Sequence, residues 1–255
     1  MQPQDIRSVL KLLVSFNERN CITESIYKIL TNKEKREWDF ISTIKLPQTF
    51  IRKFRNRVYW KHVSKYQKMS EKFICEFRHR VDWNDICEHQ ELSEEFIREF
   101  QERVHWINIC KHQKISELFI REFQYLVDWS CICEHQNLSE RFVRRFRDRV
   151  DWRSISIYQK LSEKFVREFR NRVDWKYISR HQKLSSIFQF QYRIDWMQIS
   201  LCQKLPKDYI RKFRNRVSWQ YISENQNLSQ KLIREFRNKV DWYYNPVPEP
   251  ADEPL

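Results

Sequence analysis

The chain of 255 residues carries 48 Lys and Arg against 34 Asp and Glu, a formal net charge of +14, and it contains no glycine. Without glycine the sequence has no GxGxxG turn, no GxxxxGKS/T phosphate loop and no GxSxG nucleophile elbow, so the common nucleotide-binding and hydrolase motifs are excluded. The excess of basic over acidic residues permits binding to nucleic acid or another acidic surface but does not establish it.

The N-terminal segment, residues 1–45, has apolar residues of its own at helical spacing, including Ile6, Val9 and Leu13. It ends in a degenerate half-repeat, WDFIST at 38–43, which resembles the pattern that follows. Because a stack of repeats leaves an apolar end exposed, this segment is predicted to form an N-terminal helical cap.

The same segment shows no secretory signal, because Asp5 and Lys11 interrupt the apolar run that such a signal needs. No stretch approaches the ~18 apolar residues of a membrane span, so we expect no membrane partner. The seven cysteines are an odd number for a disulfide framework. The sequence therefore predicts an intracellular protein that is not secreted and that keeps free thiols in a reducing compartment.

Tryptophan recurs at a fixed interval over residues 46–242, where all eight intervals from Trp60 to Trp242 are 23 residues long except one of 21. A fixed period between about 20 and 50 residues is the signature of a solenoid or repeat array. Residues 161–183, LSEKFVREFRNRVDWKYISRHQK, represent the unit, and repeat 7 is two residues shorter. We number repeats 1 to 9 by their first residues: Leu46, Met69, Leu92, Ile115, Leu138, Leu161, Leu184, Leu205 and Leu228.

Each repeat is predicted to form two short helices. In repeat 6, Ser162 is a typical N-cap residue, and Phe165 and Phe169 follow on one helical face. Asn171 stands where most repeats hold a residue that tolerates the left-handed conformation, which predicts that the first helix ends there. Asp174 is a second N-cap residue and opens the second helix. The pattern predicts an all-α fold, an α-solenoid of about nine 23-residue two-helix repeats behind the N-terminal cap.

The predicted organisation has three parts. Residues 1–45 form the helical cap with its half-repeat, and residues 46–242 form the α-solenoid array. Residues 243–255, YYNPVPEPADEPL, are rich in proline and acidic, so we predict a disordered tail.

The tryptophans are predicted to be core residues, because Trp175 lies about one helical turn before Ile178 and this pair recurs in almost every repeat. Stacking platforms for nucleic-acid bases are the alternative. The predicted structural core positions are Trp60, Trp83, Trp106, Trp129, Trp152, Trp175, Trp196, Trp219 and Trp242. Gln182 has an equivalent glutamine in all eight complete repeats. We expect its amide to satisfy backbone groups between repeats or to form a ladder, with a ligand contact as the alternative.

Three arginine columns run through the repeats. Two are explained by a glutamate one turn earlier, as in the predicted pairs Glu163–Arg167 and Glu168–Arg172. The third column has no regular acidic partner in its own helix, and a polyanion- or partner-binding stripe, if the array has one, is predicted here. A solvated face is the alternative. This stripe comprises Arg55, Arg78, Arg147, Arg170, Arg214 and Arg237.

Cysteine and histidine recur two residues apart in three adjacent repeats, at Cys87 and His89, Cys110 and His112, and Cys133 and His135. Residues at i and i+2 point to different sides of a helix, whereas zinc ligands must converge within ~2.0–2.3 Å of one ion. We therefore predict no metal and no other cofactor. An active site gathers unique residues around one cleft, whereas this chain repeats the same residues throughout. We expect no catalytic residues, no enzyme activity and no small-molecule substrate.

The unit LSEKFVREFRNRVDWKYISRHQK resembles the short tandem repeats, with phrases close to LSE-FIREF and VDW, of proteins encoded by giant DNA viruses that infect amoebae. The resemblance covers residues 46–242 and spans nine copies. It implies an α-helical solenoid and a viral protein that works inside an infected cell, in the host cytoplasm. It implies little about activity.

The sequence favours a non-enzymatic scaffold that engages another protein, from the host or the virus, through positions that vary between repeats. For example, repeat 5 has Ile157 where repeat 6 has Arg180, and repeat 5 has Arg153 where repeat 6 has Lys176. One alternative is a basic repeat protein that binds nucleic acid through the Arg170 column. The other is a structural or virion component.

Overall fold

The computed structural model of the chain describes residues 35–182, 187–241 and 243–244. Most of the predicted N-terminal cap, Trp242 and most of the predicted tail lie outside the described residues. Every regular element in this part of the chain is helical, with 17 α-helices and one 3-10 helix. The predicted all-α fold, an α-solenoid of two-helix repeats, is confirmed by helix pairs that contact their neighbours along the chain.

The helices alternate between two kinds. The first helices of the repeats are Gln48–Lys53, Glu71–Glu76, Glu94–Glu99, Glu117–Glu122, Glu140–Arg145, Glu163–Glu168, Lys207–Lys212 and Gln230–Glu235, with the 3-10 helix Ile187–Phe190 in repeat 7. The second helices are Trp60–Tyr66, Trp83–His89, Trp106–His112, Trp129–His135, Trp152–Tyr158, Trp175–His181, Trp196–Cys202 and Trp219–Asn225, preceded by Lys35–Ile41 in the half-repeat.

The chain divides into two compact units, residues 1–136 and residues 137–255, which we call the N-terminal and C-terminal units. Within the N-terminal unit, Trp60–Tyr66 contacts Trp83–His89, which in turn contacts Trp106–His112. Within the C-terminal unit, Trp152–Tyr158 contacts Trp175–His181 in the same way. Each unit is therefore built by the same stacking of one repeat on the next.

The helices begin where the cap residues are predicted. The Ser162 hydroxyl accepts a hydrogen bond from the backbone N–H of Phe165, and the Asp174 carboxylate accepts one from the backbone N–H of Lys176. Each bond satisfies a backbone donor that has no partner inside a helix. Helices of six or seven residues are too short to be stable alone, so packing must supply most of their stability.

The first helix ends earlier than predicted. In repeat 6 its last residue is Glu168, so the predicted end near Asn171 is wrong. Residues 169–172 instead form a turn in which the Phe169 carbonyl accepts from the N–H groups of Arg172 at 2.8 Å and Val173 at 3.1 Å. This turn returns Val173 to the core, where its side chain is 6% exposed.

Repeat 7, which is two residues shorter, replaces the first α-helix by the 3-10 helix Ile187–Phe190. A 3-10 helix needs fewer residues per turn, which suits a shorter segment. Phe190 still packs on Trp175 of the preceding repeat, with ring centroids 5.2 Å apart. The deletion is therefore absorbed without loss of the contact between repeats.

Candidate functional site

The repeated glutamine joins the backbones of consecutive repeats. Gln90 is 5% exposed, and its Oε1 accepts a hydrogen bond from the backbone N–H of Met69 at 3.0 Å. Its Nε2 donates to the carbonyl oxygens of Ser64 at 3.0 Å and Gln67 at 2.8 Å. The same three-bond arrangement recurs at Gln67, Gln113, Gln136 and Gln182. The expected role in satisfying backbone groups between repeats is confirmed, and both amide N–H groups are used in it.

A serine or cysteine of the second helix makes another link between repeats. Ser156 Oγ donates to the Trp152 carbonyl at 2.7 Å and accepts from the backbone N–H of Asp174, in the next repeat, at 3.0 Å. In repeat 2 this place is taken by Cys87, whose Sγ accepts from the backbone N–H of His105 at 3.4 Å. Burial raises the pKa of the Cys87 thiol to about 11, so it is a neutral packing group.

The cysteine–histidine pairs do not come together as a metal site. Cys87, Cys110 and Cys133 are buried, whereas His89 is exposed. No group of three or more His, Cys, Asp or Glu side chains in the described residues is placed to hold a metal ion. None of the six cysteines in the described part of the chain forms a disulfide bond.

The tryptophans pack between repeats, and those of repeats 1 to 8 remain partly exposed. The Trp152 ring lies 4.9 Å from the Phe169 ring of the next repeat, and its Nε1 donates to the Arg147 carbonyl at 2.9 Å. Trp38 in the half-repeat is 2% exposed. The rings at the predicted positions Trp60, Trp83, Trp106, Trp129, Trp152, Trp175, Trp196 and Trp219 are half-buried. Trp242 lies outside the described residues.

The first arginine column connects neighbouring repeats. Arg144 forms a bond of the predicted intrahelical kind with Glu140 at 3.3 Å, and its Nε also reaches Glu168 of the next repeat at 2.8 Å. Equivalent bridges between repeats join Arg52 to Glu76, Arg98 to Glu122 and Arg211 to Glu235. Glu168, which is predicted to pair with Arg172 in its own repeat, therefore pairs with Arg144 of the preceding repeat instead.

The predicted pairing of Glu168 with Arg172 is wrong, because the first helix ends before Arg172 and the two residues do not lie one helical turn apart. Arg172 Nη1 instead donates to the Arg147 carbonyl of the preceding repeat at 2.7 Å and pairs with Asp148 at 2.7 Å. Arg80, Arg103, Arg193 and Arg216 make the equivalent bond to a carbonyl of the repeat before. We call residues 170–172 and their equivalents the corner of each repeat.

The third arginine column, the predicted stripe, lies at the first residue of the corners. Arg55, Arg78, Arg147, Arg170, Arg214 and Arg237 all have exposed side chains. The backbone carbonyls of this column from Arg55 to Arg214 accept hydrogen bonds that hold the repeats together, and we call this set of bonds the framework. The Arg170 carbonyl accepts from Trp175 Nε1 at 2.8 Å and from Arg193 of the next repeat at 3.0 Å. The Arg170, Arg214 and Arg237 guanidinium groups have no hydrogen bond or ion pair with another described residue. The backbone of this column therefore takes part in bonds between repeats, whereas within the described residues the Arg170, Arg214 and Arg237 side chains do not.

Repeat 4 exposes three apolar side chains at positions where most other repeats are polar, although repeat 7 has Tyr192 at the position of Tyr125. Leu118 is 65% exposed, Tyr125 80% and Leu126 48%. They lie on the helix Glu117–Glu122 and the corner that follows it. The repeat pattern does not reveal these residues, because it is defined by the residues that recur. Reading each column for exceptions would have found Leu126, since the other eight repeats have Arg or Lys at that position.

Charge is divided unequally between the two units. Residues 35–136 contain 18 Lys and Arg against 16 Asp and Glu, whereas residues 137–241 contain 25 against 11. The net charges of these two stretches are therefore +2 and +14, and the whole units, residues 1–136 and 137–255, carry +3 and +11. The basic character of the array belongs almost entirely to the C-terminal unit.

No protein-family model, no curated protein and no solved structure matches this chain. None of the helices in the described residues combines the length and the hydrophobicity that crossing a membrane requires. The fold and the bonds between repeats define an α-helical tandem-repeat protein.

Proposed function

We propose that the protein is a non-enzymatic interaction scaffold that binds another protein through repeat 4. The observation that carries this proposal is the exposure of Leu118, Tyr125 and Leu126 at positions where the other repeats hold mainly polar or charged residues. Scattered exposed apolar residues are normal on a protein surface, but a concentration in one repeat of a regular array requires a reason.

Leu126 supports this reasoning because its presence removes a bond of the framework. At the same position Arg80 and Arg103 each donate a hydrogen bond to a carbonyl of the preceding repeat. Leucine has no side-chain donor, so repeat 4 lacks this link to Gln101. A surface residue that weakens the stacking of repeats and exposes apolar area is explained by a partner that covers it.

The chemistry of this surface fits a protein partner. Tyrosine and arginine are enriched at the energetic centres of protein interfaces. Arg121 lies on the same helix as Leu118, is exposed, and forms no ion pair with another described residue. The partner that suits these groups offers an apolar pocket for Tyr125 and Leu126 and a carboxylate for Arg121.

The resemblance to repeats of giant viruses of amoebae supports a protein of the infected host or of the virus itself as the partner. The free thiols fit a reducing compartment such as the host cytoplasm. No cofactor and no small-molecule substrate enter this proposal. A structural or virion role remains the second reading, and the experiment below separates it from the scaffold.

The test restores repeat 4 to the residues found in other repeats, as Leu118→Lys, Tyr125→Asn and Leu126→Arg together. These substitutions should leave the fold intact, because Leu126→Arg restores the donor that corners elsewhere use. Met197→Gln is the control, since Met197 is also an exposed apolar residue, at 47%, and the equivalent residue in repeat 8 is Gln220.

Wild-type and variant proteins would be used for quantitative affinity purification from infected cells, and a captured partner would then be tested as a purified protein. The scaffold proposal expects direct binding that weakens at least tenfold in the triple variant and is unchanged by Met197→Gln. Equal binding by all three proteins would refute the role of repeat 4. Recovery only with virions, unaffected by the triple variant, would favour the structural reading.

A further inference from the structure

We propose that the corners of the C-terminal unit form a binding site for single-stranded nucleic acid. The five corners are residues 147–149, 170–172, 191–193, 214–216 and 237–239. They hold nine Lys and Arg and one acidic residue, Asp148. We call this set of residues the basic ridge. It lies outside repeat 4 and goes beyond the protein partner proposed there.

The basic ridge is continuous because each corner is bonded to the one before it. Arg193 Nη1 donates to the Arg170 carbonyl at 3.0 Å, and Arg216 Nη1 donates to the Gln191 carbonyl at 2.7 Å. Lys239 Nζ reaches the Arg214 carbonyl at 3.3 Å. A guanidinium group carries five N–H donors, so an arginine fixed in this way keeps its charge and other donors for a ligand.

The first residue of the corners supplies cations without partners. Arg170, Arg214 and Arg237 are exposed, and their side chains form no hydrogen bond or ion pair with another described residue. Arg147 differs, because Asp148 lies 3.6 Å from it and also pairs with Arg172. From Arg170 onward the corners hold no acidic residue. Unpaired arginines at the first residue of three of these four corners, with Gln191 in the remaining one, offer repeated cations to the phosphates of a nucleic-acid backbone.

Repeat 7 adds an aromatic group to the basic ridge. Tyr192 is 81% exposed, and the Arg216 guanidinium lies 4.8 Å from the centre of its ring. Beside Tyr192 is a cleft of about 310 Å³, lined also by Arg167, Arg170 and Arg193. The cleft is therefore lined by three arginines and an exposed aromatic residue.

This combination selects single strands over the other polyanions. An aromatic ring with cations around it is the arrangement that stacks an unpaired base while arginines hold its phosphates. A duplex keeps its bases stacked inside and is read by a helix or a ribbon placed in a groove, whereas the basic ridge consists of turns. An acidic protein would also contact arginines and a tyrosine, and competition with polyglutamate distinguishes it from a single strand.

The test measures fluorescence anisotropy of a labelled oligouridylate of about 20 nucleotides, long enough for several contacts. The ridge variant carries Arg170→Gln, Arg214→Gln and Arg237→Gln. The control variant carries Lys160→Gln, Arg180→Gln and Lys204→Gln, which removes the same charge from exposed positions outside the corners. Circular dichroism would verify that both variants are folded.

We expect the ridge variant to bind at least tenfold more weakly than wild type at low salt, with a smaller loss in the control variant. The slope of log affinity against log salt should fall by about 2 in the ridge variant, since each phosphate contact on a single strand contributes ~0.7. Tyr192→Ala should weaken single-strand binding about fivefold or more, by the loss of one stacked base, and leave duplex binding unchanged.

Three results would overturn the proposal. Equal loss in the ridge and control variants would mean that only net charge matters. Displacement of the oligonucleotide by polyglutamate as readily as by unlabelled strand, with no effect of Tyr192→Ala, would identify the basic ridge as a surface for acidic proteins. Duplex binding as tight as single-strand binding would remove the argument for an unpaired base. The repeat 4 triple variant should bind the oligonucleotide like wild type, so the two proposals can fail separately.

Discussion

Replacing Gln90 by Met should weaken the joint between repeats 1 and 2. The substitution keeps the approximate size of the side chain but removes one acceptor and two donors. It leaves the Met69 N–H and the Ser64 and Gln67 carbonyls without their bonds of 3.0, 3.0 and 2.8 Å. The side chain is 5% exposed, so water cannot replace it unless the joint opens.

The expected cost follows from these three bonds. A hydrogen bond contributes a net ~1 kcal/mol, so three lost bonds cost about 3 kcal/mol of stability, and unsatisfied buried groups raise this figure. A local loss of about 3 kcal/mol corresponds to roughly a hundredfold increase in the population of the open state. The Met69 amide should therefore exchange its hydrogen with solvent about a hundred times faster.

Hydrogen exchange is the appropriate assay because an array of repeats need not unfold in one step. Urea unfolding followed by circular dichroism would complement it. The control is Gln101→Met, since Gln101 is exposed and its amide makes no hydrogen bond with another described residue. This control should change stability by less than ~0.5 kcal/mol. Unchanged exchange at Met69 in the Gln90→Met protein would refute the proposed role of the glutamine.

Further predictions concern other columns of the repeat. Trp152→Phe keeps the aromatic packing but loses the 2.9 Å bond to the Arg147 carbonyl, so urea unfolding should show a loss of about 1 kcal/mol, and no loss would mean that the indole N–H is dispensable. Iodoacetamide should modify the exposed Cys202 and spare the buried Cys87 in the native protein, as read by mass spectrometry, and rapid labelling of Cys87 would contradict its enclosure. Burial raises the pKa of Cys87 to about 11 from an ordinary 9.0, so the folded state holds this proton more tightly. Its contribution to stability is present below about pH 9 and is lost as the pH rises through about 11, and Cys87→Ser should remove that loss. The pKa of Glu140 responds to burial, which raises it, but bonds from neighbouring residues lower it overall. Its contribution is present above the unfolded pKa and is lost as the pH falls through the lower folded pKa, so Glu140→Gln should flatten the acid limb of the stability curve, and an unchanged limb would contradict this role.

Much of the fold could be predicted because the sequence repeats its local signals. The serine and aspartate caps bind backbone N–H groups two or three residues further along the chain. The structure confirms the predicted caps at Ser162 and Asp174. The end of the first helix was missed because nothing local marks it. The Phe169 N–H makes the last bond of the helix, and its carbonyl accepts the bonds of the turn that follows. This turn places Val173 in the core, and the position of the core is set by packing between repeats.

The candidate sites were only partly predictable. The third arginine column was found from the absence of a glutamate one turn earlier, and its side chains are exposed. The apolar surface of repeat 4 and the division of charge between the two units were not found, although both are present in the sequence. Both features can be recognised as surface properties only when the structure shows which side chains are buried between repeats and which are exposed to solvent.

The sequence by itself determined the period, the start of the two helices in each repeat and the capping columns, because capping and helical spacing are set within about one helical turn. Only the tertiary structure decided the partners of the polar columns. Arg144 reaches Glu168, Arg172 reaches the Arg147 carbonyl, and Gln90 reaches the Gln67 carbonyl. The residues of each pair are more than 20 positions apart and meet only when one repeat stacks on the next. That stacking gives Arg144 and Arg172 partners in neighbouring repeats, whereas Arg170, Arg214 and Arg237 are exposed and their side chains have no hydrogen bond or ion pair with another described residue.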